Sequence, residues 1–306
     1  MAIDDGFTLK KLEVFLAFMQ LGNMPKVSER LSYSVVSVHR ALHSLEQAVG
    51  CPLFKLDGRK LIPLQTAYAL AEHAQRALHE AEEGVRRARE IAGLSAPRLK
   101  VGSLYSLTTR TMPPLLVRMK LRNSALDIDL TLGSNRLLLE QLREGRLDAI
   151  VIALSEPVND DQLVAVPLFE DSIFFAVPAD SPYARRNSLD LAEVRNEKFV
   201  CLEDDFATAA SFQQAFRRAG YEPQVAMRVG DIFSLTNLIS GGVGYSLLPG
   251  RMESFNPRVR LIPLVPPYTS QQTITLLMRH KRENEPHLMT LAEECRRLAA
   301  LEGTSL

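Results

Sequence analysis

The side chains best placed to act on a partner lie between Ser34 and Lys60. In the run from Ser34 to Val49, Val38, Leu42, Leu45 and Val49 recur at three- and four-residue steps, which makes one apolar stripe of a helix. Opposite that stripe stand Ser37, His39, Arg40 and His43. Hydroxyl, imidazole and guanidinium groups so arrayed are hydrogen-bonding partners for base edges and phosphates. Ser34 occupies the N-cap position and Gly50 the position where such a helix ends. Beyond it, Cys51-Pro52-Leu53-Phe54 and Asp57-Gly58-Arg59-Lys60-Leu61-Ile62-Pro63-Leu64 read as two short strands joined by an Asp-Gly turn. Lys55, Arg59 and Lys60 then carry positive charge towards a polyanion.

These residues need a frame. Met24 to Leu31 reads as a shorter helix with Pro25 in its first turn, where the missing N–H costs nothing. Ser32-Tyr33 leaves room only for a tight connection, which makes a helix-turn-helix whose second helix enters a DNA major groove. An earlier helix, carrying Leu9, Leu12, Val14, Phe15, Leu16, Phe18 and Met19, closes the core behind it. The Ser-containing turn, Leu45-Glu46, Gly50, Pro52-Leu53-Phe54 and Gly58-Arg59 stand at the spacing of the DNA-binding domain of LysR-type transcriptional regulators, which the segment from Leu31 to Leu64 resembles. The resemblance implies double-stranded DNA as partner, with Ser34, Val36, Ser37, His39, Arg40, His43, Lys55, Arg59 and Lys60 at the interface. Among these, His39, Arg40 and His43 are the expected base readers, and Ser34 and Ser37 lie near phosphates. The family more often has Gln and Ser where this chain has Val35 and His39, so its usual base contacts do not carry over at those two positions.

At 306 residues the chain exceeds one ordinary core. Its 36 basic side chains balance 36 acidic ones, so any DNA-binding charge must be a local patch. Cys51, Cys201 and Cys295 are odd in number and far apart, which excludes a disulfide framework. The N-terminal residues lack the basic and apolar regions of a signal peptide, and no run reaches transmembrane length. A cytoplasmic protein without membrane contact is therefore expected.

From Gln65 to about Ala92 proline is absent, and Ala67, Leu70, Ala74, Ala77, Leu78, Ala81, Val85, Ala88 and Ile91 form a narrow stripe. One long helix is predicted, and pairing two copies along the stripe buries it. After the hinge Gly93-Leu94-Ser95-Ala96-Pro97 the pattern becomes alternating α/β: strands at Leu99–Gly102, Leu126–Leu132 and Leu147–Ile152 with helices between them, which predicts a parallel sheet. Ala165–Phe169 and Ser172–Val177 read as two further strands. Then follow strands at Lys198–Leu202 and Val225–Val229, helices at Ala207–Ala219 and Ile232–Ile239, a glycine turn into a buried strand ending at Pro249, and a closing strand and helix. Gly145-Arg146-Leu147-Asp148 and the segment from Ser240 to Pro249 are similar to signatures of the LysR effector domain.

The expected fold class is accordingly α/β with a winged helix-turn-helix N-terminal domain, a long linker helix and a two-lobed periplasmic-binding-protein-like effector domain. The expected boundaries are 1–65 for the DNA-binding domain and 66–93 for the linker. Residues 97–164 with 269–306 make one effector lobe, and 165–268 the other.

Ligands of open α/β lobes sit beyond the carboxyl ends of strands, near helix N-termini. This singles out Ser103, Leu104, Tyr105 and Ser106 after the first strand, Ser134 and Asn135 after the second, Leu154 after the third, and Glu203 in the second lobe. Helix N-termini near Thr108 and Asn135 favour a small carboxylate there. Gly241, Gly242 and Gly244 precede a strand, the reverse of a dinucleotide loop, and read as a turn. No His-Glu-x-x-His, paired-cysteine motif or nucleophile elbow occurs, so neither an enzyme nor a cofactor is expected. Cys201 has no nearby cysteine and reads as a buried structural thiol. The reading head is also similar to the malonate-utilisation branch of the family. That likeness implies malonate or another short carboxylate as effector. The family implies a homodimer or homotetramer that meets RNA polymerase.

Overall fold

The computed structural model describes residues 4, 6–58 and 60–302. The chain divides into two compact units, Met1–Ser95 and Ala96–Leu306.

The first unit runs α1 (Leu9–Leu21), α2 (Met24–Leu31), α3 (Val35–Val49), β1 (Phe54–Asp57), β2 (Lys60–Pro63) and α4 (Gln65–Ile91). Local chemistry sets each boundary: Thr8, Asn23 and Ser34 cap the first three helices through their side chains, and left-handed Gly22 and Gly50 end α1 and α3. The stripe Val38, Leu42 and Leu45 is buried against Leu12, Phe15, Phe18 and Val27. The hairpin pairs Asp57 with Lys60, so Asp57 belongs to β1 and not to the predicted Asp-Gly turn. Gly58 is at φ +59, the left-handed region that hairpin turns demand. Arg59 lies outside the described residues.

The 27 residues of α4 span roughly 40 Å at 1.5 Å per residue. Its apolar stripe divides. Ala67 and Ala74, with Leu70, Ala71 and Leu78 beside them, join the core that α1 helps to form. Val85 and Ile91 are 55% and 90% exposed.

The second unit contains β3 (Arg98–Ser103), α5 (Met112–Arg122), β4 (Asp127–Leu132), α6 (Asn135–Arg143), β5 (Ala149–Leu154) and β6 (Leu163–Pro178). It continues with β7 (Lys198–Leu202), α7 (Ala207–Ala219), β8 (Gln224–Val229), α8 (Ile232–Ser240), β9 (Ser246–Pro249), β10 (Val259–Pro263), β11 (Gln271–Arg279) and α9 (Pro286–Glu302). The strand order is β10-β6-β11-β5-β3-β4, with β9 also on β6 and β7 paired to β8. The expected parallel arrangement of the first three strands holds, β3 being parallel to β4 and β5, and β11 extends the sheet antiparallel to both β5 and β6. Two expectations change. The two strands expected at 165–169 and 172–177 are one strand, because Glu170 and Asp171 continue the ladder opposite Thr273 and Gln272. No helix starts near Thr108: Tyr105–Thr108 is a 3-10 turn, and α5 begins at Met112, next to Pro113.

β6 and β11 join the two lobes. Up to Ser172, β6 pairs with β11; from Ile173 it pairs with β9 and β10. One lobe packs β5, buried along Ala149 to Ala153, against Leu115, Leu138, Leu142 and Leu291. The other gathers Phe175, Phe199, Phe212 and Phe216 in one core and Leu235, Ile239 and Leu248 in a second. The signature Gly145 to Asp148 is a joint: buried Asp148 accepts from the Lys100 N–H at 2.7 Å and from Arg282 at 2.5 Å.

Candidate DNA-reading head and effector cleft

Helix α3 presents its polar side outward. Ser34, Val36, Ser37, His39, Arg40 and His43 are all exposed, Val36 by 66%. Ser34 Oγ accepts from the Ser37 N–H at 3.1 Å and lies 2.8 Å from Ser37 Oγ, so both hydroxyls sit at the first turn, where backbone N–H groups favour phosphate. The His39 and His43 rings stack with centroids 6.4 Å apart, one turn along the same face. Glu46 ties this helix to the wing: its Oε1 accepts from the N–H groups of Leu53 and Phe54 at 2.7 and 3.1 Å. Phe54 in turn meets Phe15 and Phe18 edge-on. The hairpin is thereby held to α3, with Lys55 and Lys60 exposed on it.

In the second unit, a cavity of about 10 Å³ lies between the lobes, lined by Tyr105, Ser106, Asn135, Phe206, Thr208 and Arg251 among others. That is room for one water. Arg251 forms its floor. It follows β9 in a 3-10 turn, is 8% exposed, donates from Nε to Ser106 Oγ at 2.8 Å and from Nη1 to Asp171 Oδ2 at 2.7 Å. Nη2 has no hydrogen bond among the described residues. Burial pulls the Arg251 pKa down, against the opposing field of Asp171; an arginine nonetheless stays charged. Gly250 permits the pairing, since a Cβ there would stand 2.9 Å from Asp171 Oδ1 and from the Phe174 ring.

Two contacts close the cleft. Asn135 donates to the Ala153 carbonyl at 2.6 Å and accepts from the Ala207 N–H of the other lobe at 3.1 Å. Arg136 forks onto Asp205 at 2.7 and 2.5 Å. The hydrogen bond from Arg136 holds the Asp205 carboxyl below its ordinary range.

Of the residues expected to meet an effector, Leu104, Tyr105, Ser106 and Asn135 border this cavity. The other four lie off it. Ser103 is fully buried and donates to the Leu104 carbonyl; Ser134 caps α6 by accepting from the Leu137 N–H. Leu154 ends β5, and Glu203 is exposed on the loop after β7, over Gly230. Arg251 and Thr208 were not foreseen. A charged residue two positions after the buried Leu247-Leu248-Pro249 strand is the signal that could have pointed to the first; Thr208 carries none. Cys201 is buried, with its thiol pushed up by burial, as is the Cys295 thiol, to about 12.

Two family models match the chain: "Bacterial regulatory helix-turn-helix protein, lysR family" over residues 9–68, and "LysR substrate binding domain" over residues 92–300. The malonate utilization transcriptional regulator of Klebsiella pneumoniae is 45% identical over 299 residues, 97% of each chain. The Hca operon transcriptional activator of Escherichia coli K12 is 27% identical over 81% of this chain and 83% of its own. Among solved structures, full-length CbnR complexed with its target DNA superposes with a TM-score of 0.73 at 21% identity, covering 95% of this chain and all of that one. No described helix is long and apolar enough to cross a membrane. With a winged head before a long helix and a two-lobed α/β unit after it, both matched by family models, the chain belongs to the LysR family and is a DNA-binding transcriptional regulator with an effector-binding domain.

Proposed function

We propose that this regulator responds to malonate, or a close short dicarboxylate, bound between the lobes of its second unit. The observation that carries the reading is Arg251: a guanidinium more than nine-tenths buried borders the interlobe cavity with Nη2 unbonded among the described residues. A carboxylate reaching Nη2 gains a charge-assisted hydrogen bond where at most one water competes for it. The 45% identity to a malonate regulator along nearly the whole chain supports that choice of ligand. On this reading the head binds double-stranded DNA through Ser34, Val36, Ser37, His39, Arg40, His43 and the lysines of the wing. The exposed half of α4, with Val85 and Ile91, pairs two copies. A cavity sized for one water admits a three-carbon dicarboxylate only when its walls move, so ligand affinity differs between lobe arrangements, as any ligand-driven switch requires.

Calorimetric titration of the full-length protein with malonate tests this. Saturable heat is expected, and Arg251→Met, with its fold verified by circular dichroism, should weaken binding about tenfold or more, the loss of a charge-assisted hydrogen bond. A folded wild-type protein that gives no heat at millimolar malonate refutes the assignment.

A further inference from the structure

Three helices begin at the cleft: Asn135 opens α6, Ala207 and Thr208 open α7, and Ile232 opens α8. Two of these N-termini are closed by their own residues. Ser134 Oγ accepts from the Leu137 N–H, and the Asp231 carboxylate accepts from the N–H groups of Phe233 and Ser234. Helix α7 differs, because its N-cap is Phe206, whose side chain accepts nothing. The Ala207 N–H donates across the cleft to Asn135 Oδ1 instead. Thr208, next along, is 5% exposed and lines the cavity. Among the described residues, neither its N–H nor its hydroxyl makes a hydrogen bond.

The unmatched Thr208 N–H at a helix start, the unbonded hydroxyl of the same buried residue, the Ala207 N–H now held by Asn135 and the Arg251 guanidinium on the same cavity are the donor set of a carboxylate seat. A carboxamide oxygen is the neutral counterpart of a carboxylate oxygen. It accepts the same N–H without the charge, and is held about half as strongly. We infer that Thr208 and the N-terminus of α7 seat one carboxylate of the effector, and that the Asn135 carboxamide fills this seat until the effector displaces it. The inference rests on the proposed reading of the cleft as a dicarboxylate site. It inverts the role of Asn135: the side chain competes with the ligand rather than contacting it. On leaving Ala207, Asn135 retains its bond to the Ala153 carbonyl, and the Arg136–Asp205 fork still spans the lobes.

The test is calorimetric titration of the full-length protein, Asn135→Ala and Thr208→Val with malonate, succinate and acetate, after thermal melts confirm folding. Asn135→Ala should bind malonate about fivefold tighter, because the binding-competent fraction no longer has to expel the amide. Thr208→Val, nearly the same shape, should bind about tenfold more weakly for want of one hydrogen bond to a charge. If wild type binds malonate while Asn135→Ala weakens it, or Thr208→Val leaves it unchanged, the seat is overturned and the malonate reading stands. If wild type ignores malonate but binds succinate or acetate with the expected signs in the two variants, the seat stands and malonate is wrong. Silence towards all three carboxylates overturns both.

Discussion

Removing Asp171 should destabilise the effector unit by about 3 kcal/mol, within the range for breaking a buried ion pair at one end. The side chains of Arg251 and Asp171 are only 6% and 9% exposed, so neither charge can be rehydrated in place. Asp171→Ala deletes the acceptor of Nη1 at 2.7 Å and that of the Arg251 backbone N–H at 3.3 Å, leaving Ser106 Oγ as the remaining partner of the guanidinium. Asp171→Asn keeps an acceptor oxygen but not the charge, and should cost about half as much. The double variant Asp171→Leu with Arg251→Met should recover to within about 1–2 kcal/mol of wild type, since an apolar pair of similar volume replaces a buried ion pair nearly neutrally. Urea unfolding followed by circular dichroism gives these values, fitted as two transitions because each unit has its own core. A loss below about 1 kcal/mol for Asp171→Ala, or a double variant no more stable than the single one, would refute the claim that charge pairing holds this floor together.

Arg40→Ala should lower specific DNA affinity by about 1–3 kcal/mol if the guanidinium pairs with a base; unchanged operator binding at fixed salt would remove Arg40 from the readers. Val85→Glu should leave the melting of a single chain intact while halving the sedimenting mass, because Val85 is exposed in the monomer and a carboxylate buried between two helices is costly. An unaltered mass places the pairing surface elsewhere. The Arg136–Asp205 fork should persist at neutral pH. The Asp205 pKa is lowered in the folded protein, so its contribution is present above the ordinary carboxylate range and is lost only as pH falls through the lowered value. An Arg136→Gln variant should therefore differ from wild type in lobe closure, followed by small-angle scattering, at pH 7, and the difference should fade only below the ordinary carboxylate range; a difference that already fades above that range contradicts the linkage.

The head was legible in the sequence because everything that shapes it is local. Caps at Asn23 and Ser34, the glycine at 50 and the stripe from Val38 to Leu45 lie within one helix-turn-helix, and each has a fixed meaning at its position. Glu46 was readable only as part of a family spacing; its work of holding the wing came with the structure. The long helix was legible as a helix, but not the division of its stripe, because whether Leu78 or Val85 is covered depends on where α1 ends. In the second unit the elements were mostly legible and their joins were not. Acidic Glu170 and Asp171 interrupt an apolar pattern exactly where β6 crosses between the lobes, so one strand read as two. The cleft is a non-local object: Arg251 meets Asp171 from 80 residues away and Ser106 from 145. Sequence periodicity places loops at strand ends without telling which side chain in a loop turns to its own helix and which to the opposite lobe. Ser134 turns to its own helix, and Asn135, the next residue, reaches across. A single position thus separates a cap from a cleft contact, and only the path of the backbone into α6 decides between them.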